Sequence, residues 1–252
     1  MAILQEYHRP NTLQEALALL QEPGRRRVPL AGGTDLVGRL ETRAIRDVDG
    51  VVDLRALGLN YVQGDESVLR LGAMATLSDV CEHPVAGSLA HGLLRRAARG
   101  EGPINLRNAA TVGGVVAVAA YDSEFYAGLL ALGATVVLHE ADGVVEIPLE
   151  QLTQIHGLIT EVRIPLPGPP RGGLARVART PSDRPIVAAV AVVDDEGRSR
   201  VALCGVAARP VLQGSPLEPP DNFKGSADYR RAMVSVLTRR ALAEAQGGLG
   251  IG

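Results

Sequence analysis

The sequence predicts an α+β protein built in three parts, and three observations carry that reading. Short runs rich in Val, Leu and Ala alternate with capped helical patterns along roughly the first two thirds of the chain. Two adjacent-glycine pairs, Gly32-Gly33 and Gly113-Gly114, interrupt stretches that are otherwise apolar. A Pro/Gly-rich segment, Pro165 to Gly173, then separates these from three more strand-like runs and one long helix. The parts are expected at residues 1–56, 57–166 and 174–252.

In the first part, Thr12-Leu13-Gln14-Glu15 has the pattern of a capping box, and Ala16, Leu17, Leu19 and Leu20 follow on a helix that ends near Pro23-Gly24. Arg25 to Leu30 reads as a strand running into Ala31-Gly32-Gly33-Thr34-Asp35-Leu36, and Val51 to Leu54 as a second strand. The second part opens with a strand at Val68 to Ala73 and a helix capped near Thr76. A further helix is expected from Ser88 to Arg99, stopping at Gly100. After a Gly/Ala/Val-rich stretch, Asp122 or Ser123 caps a helix through Leu132. Thr135 to His139 and Val144 to Pro148 form a hairpin across Asp142-Gly143, and Gly157 to Pro165 is a strand. In the third part the strand-like runs are Leu174–Ala178, Ile186–Asp194 and Arg200–Val206, the helix runs from Ser226 to Ala245, and Gly247 to Gly252 reads as a disordered tail.

Composition narrows the function. The 252 residues carry a net charge of −2, which gives no reason to expect nucleic acid or an anionic membrane as partner. The apolar runs fall well short of the roughly 20 residues that span a bilayer, and the opening residues lack the pattern of a signal peptide, so a cytoplasmic protein is expected. Two cysteines, Cys81 and Cys204, are too few for an iron–sulfur cluster, which needs about four ligands. The five histidines show no metal spacing, and no nucleophile–base constellation is present, so neither metal ligands nor catalytic residues are assigned. Arg25-Arg26-Arg27 reads as a solvated turn.

The chemistry rests on the two glycine pairs. Adjacent glycines allow positive φ and close backbone approach, so successive N–H groups of Ala31 to Asp35 can gather around phosphate oxygens, with the Thr34 hydroxyl as a further donor. The plainer reading is a tight turn with Asp35 as a helix cap. Thr111-Val112-Gly113-Gly114-Val115 repeats the Thr-plus-glycines pattern, against the plainer reading of a buried turn where two strands cross. Two such loops suit a dinucleotide, whose pyrophosphate can be gripped from both sides.

These segments resemble the FAD-binding subunits of molybdenum hydroxylases, the family that includes the carbon monoxide dehydrogenase medium subunit and the xanthine dehydrogenase flavin domain. Pro29 to Leu36 looks like that family's first flavin loop and Asn105 to Gly114 like its second. Tyr7-His8-Arg9-Pro10, Leu71 to Thr76, Leu130 to Ala134, Gly157 to Pro165, Ser226 to Arg231 and Arg239 to Leu242 follow in family order. The resemblance implies a two-subdomain FAD-binding unit (PCMH-type, as in molybdopterin dehydrogenases) followed by a small α+β C-terminal domain. It implies that Leu30, Ala31, Gly32, Gly33, Thr34 and Asp35 wrap the FAD pyrophosphate, and that Thr111, Gly113 and Gly114 contact it from the second subdomain. Ile159 is implied near the isoalloxazine ring, with Arg176 where the family places a lysine near the flavin. Two departures stand out: Val115 replaces an Asn or Asp, and Glu124 replaces an Asp. As partners it implies a molybdopterin-binding large subunit and a [2Fe–2S] small subunit, with electrons passing through FAD to NAD⁺, a quinone or oxygen. An alternative, motivated by Val115 and the scarcity of aromatics, is a structural subunit of such a complex that has lost FAD. A stand-alone flavin oxidase fits less well, because about 80 residues after Pro165 leave little room for a substrate pocket.

Overall fold

A computed structural model describes residues 4–166 and 168–247; the expected tail beyond Gly247 lies outside the described residues. Helix and strand mix as expected, distributed over three sheets.

The first sheet contains β1 (Glu6–His8), β2 (Arg27–Leu30) and β3 (Gly50–Asp53), parallel throughout in the order β1-β3-β2. Helix α1 (Leu13–Gln21) starts where the sequence places it, with Thr12 Oγ1 accepting from the Glu15 amide at 3.2 Å. Strand β1 is too short to show a period, and side chains fasten it. Tyr7 donates its hydroxyl to the fully buried Asp53, which also accepts from the Arg55 amide and guanidinium. Burial opposes ionisation of Asp53, but the bonds from Arg55 and Tyr7 hold its carboxyl down at about 2. Arg27, read above as part of a solvated turn, is instead largely buried and bridges Glu6 at 2.6 Å and Glu22 at 2.5 Å. Helix α2 (Leu36–Glu41) follows the first glycine loop.

The second sheet is antiparallel, in the order β4-β5-β8-β6-β7, from β4 (Val62–Gly64), β5 (Val68–Gly72), β6 (Thr135–Glu140), β7 (Gly143–Pro148) and β8 (Leu158–Pro165). Helix α3 (Leu77–Glu82) has a complete capping box between Thr76 and Asp79. Helix α4 (Pro84–Gly100) is broken at Leu89–Gly92, where Ala90, His91 and Gly92 all take positive φ, rather than running uninterrupted from Ser88. Helices α5 (Ile104–Arg107), α6 (Val112–Val118) and α7 (Glu124–Ala131) fill the stretch between α4 and β6. Ser123 caps α7 through the Tyr126 amide.

The third sheet, antiparallel in the order β12-β11-β10-β9, contains β9 (Arg171–Val177), β10 (Val187–Val193), β11 (Ser199–Cys204) and β12 (Val211–Leu212), and α8 (Ala227–Ala245) covers one face. Strand β9 begins inside the segment read as linker. Positions 172 and 173 require glycine because other backbone crosses both faces of the strand there, the break in α4 on one side and α8 on the other. A Cβ on Gly172 would sit 2.4 Å from the Ala90 carbonyl oxygen, and one on Gly173 1.9 Å from that of Ala241. The break in α4 is what brings Ala90 to this strand.

Strand β10, Val-Ala-Ala-Val-Ala-Val-Val, is buried along its whole length. Ala188, Val190 and Val192 join one core with α4 and α7, whereas Val187, Ala189, Ala191 and Val193 join a second core under α8. Burial on both faces explains its continuous apolar run. The larger core, with Leu93, Leu94, Phe125 and Leu129 fully buried, therefore spans the second and third sheets. Each such side chain stabilises the fold by roughly 1.5–3 kcal/mol.

Candidate functional site

A cleft of about 620 Å³ opens between the first and second sheets, within the roughly 300–1,000 Å³ usual for small-molecule sites. One wall is the loop after β2, with Ala31, Gly32, Gly33, Thr34 and Asp35. The opposite wall is the start of α6, with Thr111, Gly113, Gly114 and Val115. Ala73, Met74, Leu77, Leu158 and Ile159 also line it, and Glu101, Ser123 and Arg184 line it towards the third sheet.

The two walls meet backbone to backbone. A Cβ on Gly32 would lie 1.7 Å from the Ala109 carbonyl oxygen, so no other residue fits there without parting the loops. Gly33 takes φ +72°, and the Leu30 side chain packs beneath it rather than lining the cleft. Asp35 occupies the capping position of α2 but makes no cap hydrogen bond; it pairs with Arg39 at 3.3 Å. The amides of Gly32, Gly33, Thr34, Asp35 and Leu36 donate to no protein group among the described residues. Such a run of unsatisfied N–H groups around a concave backbone suits an anion.

The second loop is built differently from its reading in the sequence. It is neither a strand crossing nor a nest of free amides. The Val112 amide donates to Ala75 O, that of Gly113 to Ala73 O, that of Gly114 to Thr111 Oγ1 at 3.1 Å, and that of Val115 to Thr111 O. Gly113 is required by this docking, since its Cβ would meet Ala73 O at 2.9 Å. The loop thus offers a close, apolar, well-anchored wall.

Glu124 and Arg176, both expected at the cofactor, do not line the cleft. They lie behind it against each other, Arg176 Nε 2.7 Å from Glu124 Oε1, although the N–H is not directed at the oxygen. The Glu124 side chain reaches back over the α4 terminus, where a Cβ on Gly100 would lie 1.8 Å from Oε2, and Arg176 is held away from the cleft by bonds to the Pro181 and Asp183 carbonyl oxygens. Burial pushes the Glu124 carboxyl up to about 7, against the pull of Arg176. It also faces Cys204, whose thiol burial and then the Glu124 charge raise well above its ordinary value.

Sequence reasoning missed Glu101 and Arg184. Glu101 Oε1 accepts from Ser123 Oγ at 2.7 Å and from the Phe125 amide at 2.9 Å, while Oε2 pairs with Arg184 Nη2. Arg184 Nη1 reaches Asp122 at 3.0 Å, and Lys224 reaches the other oxygen of Asp122 at 3.0 Å. Glu101 read only as the residue after a helix stop, and Arg184 lies just before the strand-like run at Ile186 with no motif around it. No local pattern links residues so far apart in sequence.

No lining residue is aromatic, and among the described residues no cluster of His, Cys, Asp and Glu could hold a metal ion. No described helix is long and apolar enough to cross a membrane. An extended ligand with a central anionic group fits this cleft: one loop lines it with residues whose amides have no protein acceptor among the described residues, close backbone bounds it on the other, and aliphatic side chains cover the remainder.

Residues 3–167 match the family described as the FAD binding domain in molybdopterin dehydrogenase. A glyceraldehyde dehydrogenase medium chain from Sulfolobus acidocaldarius is 27% identical, over 94% of this chain and 97% of its own. A carbon monoxide dehydrogenase medium chain from Afipia carboxidovorans is 28% identical over 96% of each. In fold, the chain matches one from the reconstituted CO dehydrogenase of Oligotropha carboxidovorans with a TM-score of 0.90, covering 98% of this chain and 99% of that one at 24% identity.

Proposed function

The chain belongs to the family of FAD-binding domains of molybdopterin dehydrogenases, and from that premise we propose that it is the electron-transferring flavin subunit of a multi-subunit molybdenum hydroxylase. In that complex it receives electrons from the [2Fe–2S] clusters of a small subunit, which draw them from a molybdopterin-binding large subunit, and delivers them to an external acceptor. Two relatives bear the name of medium chains, which supports a role as one part of an assembly.

The observation that carries the cofactor assignment is the meeting of the two loops at Gly32 and Ala109, with five amides on the first loop, at residues lining the cleft, that have no protein acceptor among the described residues. In this reading Gly32 to Asp35 hold the pyrophosphate and the Thr34 hydroxyl adds a donor. Thr111, Gly113 and Gly114 shape the opposite wall, and Val115 and Ile159 cover apolar surface of the ligand. By the family resemblance the ring would lie towards the third sheet, at the end of the cleft lined by Glu101 and Arg184. Bound FAD supplies the redox chemistry; the chain holds it, excludes water with Met74, Val115 and Ile159, and sets the charge around it.

A visible absorption spectrum of the purified chain, before and after adding FAD and desalting, tests this. A flavin spectrum near one equivalent is the expected result. A protein that stays colourless even with its partner subunits bound would overturn it in favour of a structural subunit that has lost FAD.

A further inference from the structure

Five charged side chains line the cleft: Asp35, Arg39, Glu101, Arg107 and Arg184. Asp35 and Arg39 pair with each other beside the first loop, and Arg107 donates Nη1 to the Gly102 carbonyl oxygen at 2.6 Å. Arg184 alone comes from the third part of the chain, from the loop between β9 and β10, and its side chain remains 34% exposed. Its position is fixed from three directions: Nη2 on Glu101, Nη1 on Asp122, and Nε on the Glu101 carbonyl oxygen at 3.4 Å.

Both carboxylates that fix it are also served by other donors. Glu101 is held by the Ser123 hydroxyl and the Phe125 amide at the start of α7, and Asp122 by Lys224. Behind them lies the Glu124–Arg176 pair. Glu101, Asp122 and Glu124 are all buried, whereas the Arg184 side chain is partly exposed and lines the cleft in a wall otherwise largely aliphatic.

We propose that Arg184 is the charge-setting residue of this cleft, a fixed cation that stabilises the negative charge gained by the flavin ring on reduction, with Glu101 and Asp122 as its positioning residues. The inference rests on the FAD reading above and on the ring lying at the third-sheet end. A fixed cation in a site that excludes water favours the state of the ligand with more negative charge, and it costs no reorganisation when that charge arrives. Its effect therefore falls on the difference between reduced and oxidised flavin rather than on binding as such. Removing the positive charge lowers the midpoint potential, and removing the neighbouring negative charge of Glu101 raises it.

The test is a redox titration of the full chain loaded with FAD, in its complex where partners are needed for loading. Arg184→Gln, Arg184→Lys, Glu101→Gln and the charge-balanced double variant Glu101→Gln/Arg184→Gln are compared with wild type. Arg184→Gln is expected to weaken binding of reduced over oxidised FAD by tenfold or more, about 30 mV downward for a two-electron couple. Arg184→Lys should recover most of that shift, Glu101→Gln should move the potential upward, and the double variant should fall between the single ones. An unchanged potential in Arg184→Gln with FAD bound overturns the proposal and leaves the FAD reading standing. Equal shifts in the Gln and Lys variants also overturn it, because they would reflect structure rather than charge. Should Arg184→Gln fail to fold, the upward shift of Glu101→Gln and the intermediate value of the double variant decide the sign. Failure of the wild-type complex to take up FAD removes the FAD reading and this inference together.

Discussion

In the first glycine loop five consecutive amides, from Gly32 to Leu36, have no protein acceptor among the described residues, whereas in the second the four amides from Val112 to Val115 all bond within the chain. The two loops share a Thr and a Gly-Gly pair, so the residue types alone do not separate them. Their neighbours do. Beyond Leu30 the first loop leaves its sheet without a strand partner, while the second docks on the backbone of Ala73 and Ala75. Glycine thus serves two ends here: at Gly33 a positive φ that leaves donors free, and at Gly113 an approach to another backbone that engages them. A site described by motif alone would make the loops equivalent; by hydrogen bonding, one is the cradle and the other is the wall.

The sharpest way to break this comparison is a methyl group on each side. Gly32→Ala drives a Cβ into the Ala109 backbone and must part the loops, so FAD affinity should fall on the order of 100-fold, about 3 kcal/mol. Gly114→Ala meets only the Thr111 hydroxyl, at 2.9 Å, inside a helix where Ala is favoured over Gly, and should change affinity and stability by less than about 1 kcal/mol. Flavin fluorescence titration of both variants measures this, and equal losses would mean that the walls are not distinct.

What backs the second wall can be read from pH. The Glu124 carboxyl is raised from 4.5 to about 7 in the folded state, by burial first. The folded protein therefore holds a proton there that the unfolded chain has released, and the stability this gives is fully present below pH 4.5 and lost as pH rises through 7. Glu124→Gln removes the dependence. Its stability relative to wild type should climb between pH 4.5 and 7 by on the order of 3 kcal/mol and then level off. Denaturant unfolding at several pH values checks it, and a flat difference would show that Arg176 keeps Glu124 ionised throughout.

The smallest effects come from the two threonines, and they should be reciprocal. Thr111→Val removes the cap on the Gly114 amide and should cost stability of about 1 kcal/mol with little change in FAD affinity. Thr34 is exposed and caps no helix, so Thr34→Val should leave stability unchanged but weaken FAD by up to about tenfold, the loss of one hydrogen bond. Thermal unfolding and fluorescence titration in parallel separate the two.

Local chemistry made much of this legible. The caps at Thr12, Thr76, Ser123 and Ser226 stand where the sequence places them, because a side-chain acceptor three residues before an orphan amide is a local event. The hairpin at Gly143 and the doubly buried run of β10 are likewise written in their own residues. Three-residue β1 was not, since it is held by pairing with β3 and by bonds such as that from Tyr7 to Asp53, 46 positions away.

By itself the sequence determined the α+β class, the order of most elements, the family resemblance and the two loops that bound the cleft. Only the tertiary structure decided what each glycine is for. Gly172 and Gly173, which read as linker, lie in a strand where the break in α4 and α8 cross it and leave no room for a Cβ. The Gly-Gly pair of the second loop, read as either phosphate-suited or a buried turn, has both amides engaged, that of Gly113 on Ala73 O beyond β5 and that of Gly114 on Thr111 Oγ1. Glu124 and Arg176, read as two separate cofactor contacts, turned towards each other, and Glu101 and Arg184 took their place at the cleft. The reason is common to all four cases: periodicity and capping act within a few residues, whereas steric exclusion, burial and charge pairing depend on which distant backbone arrives alongside.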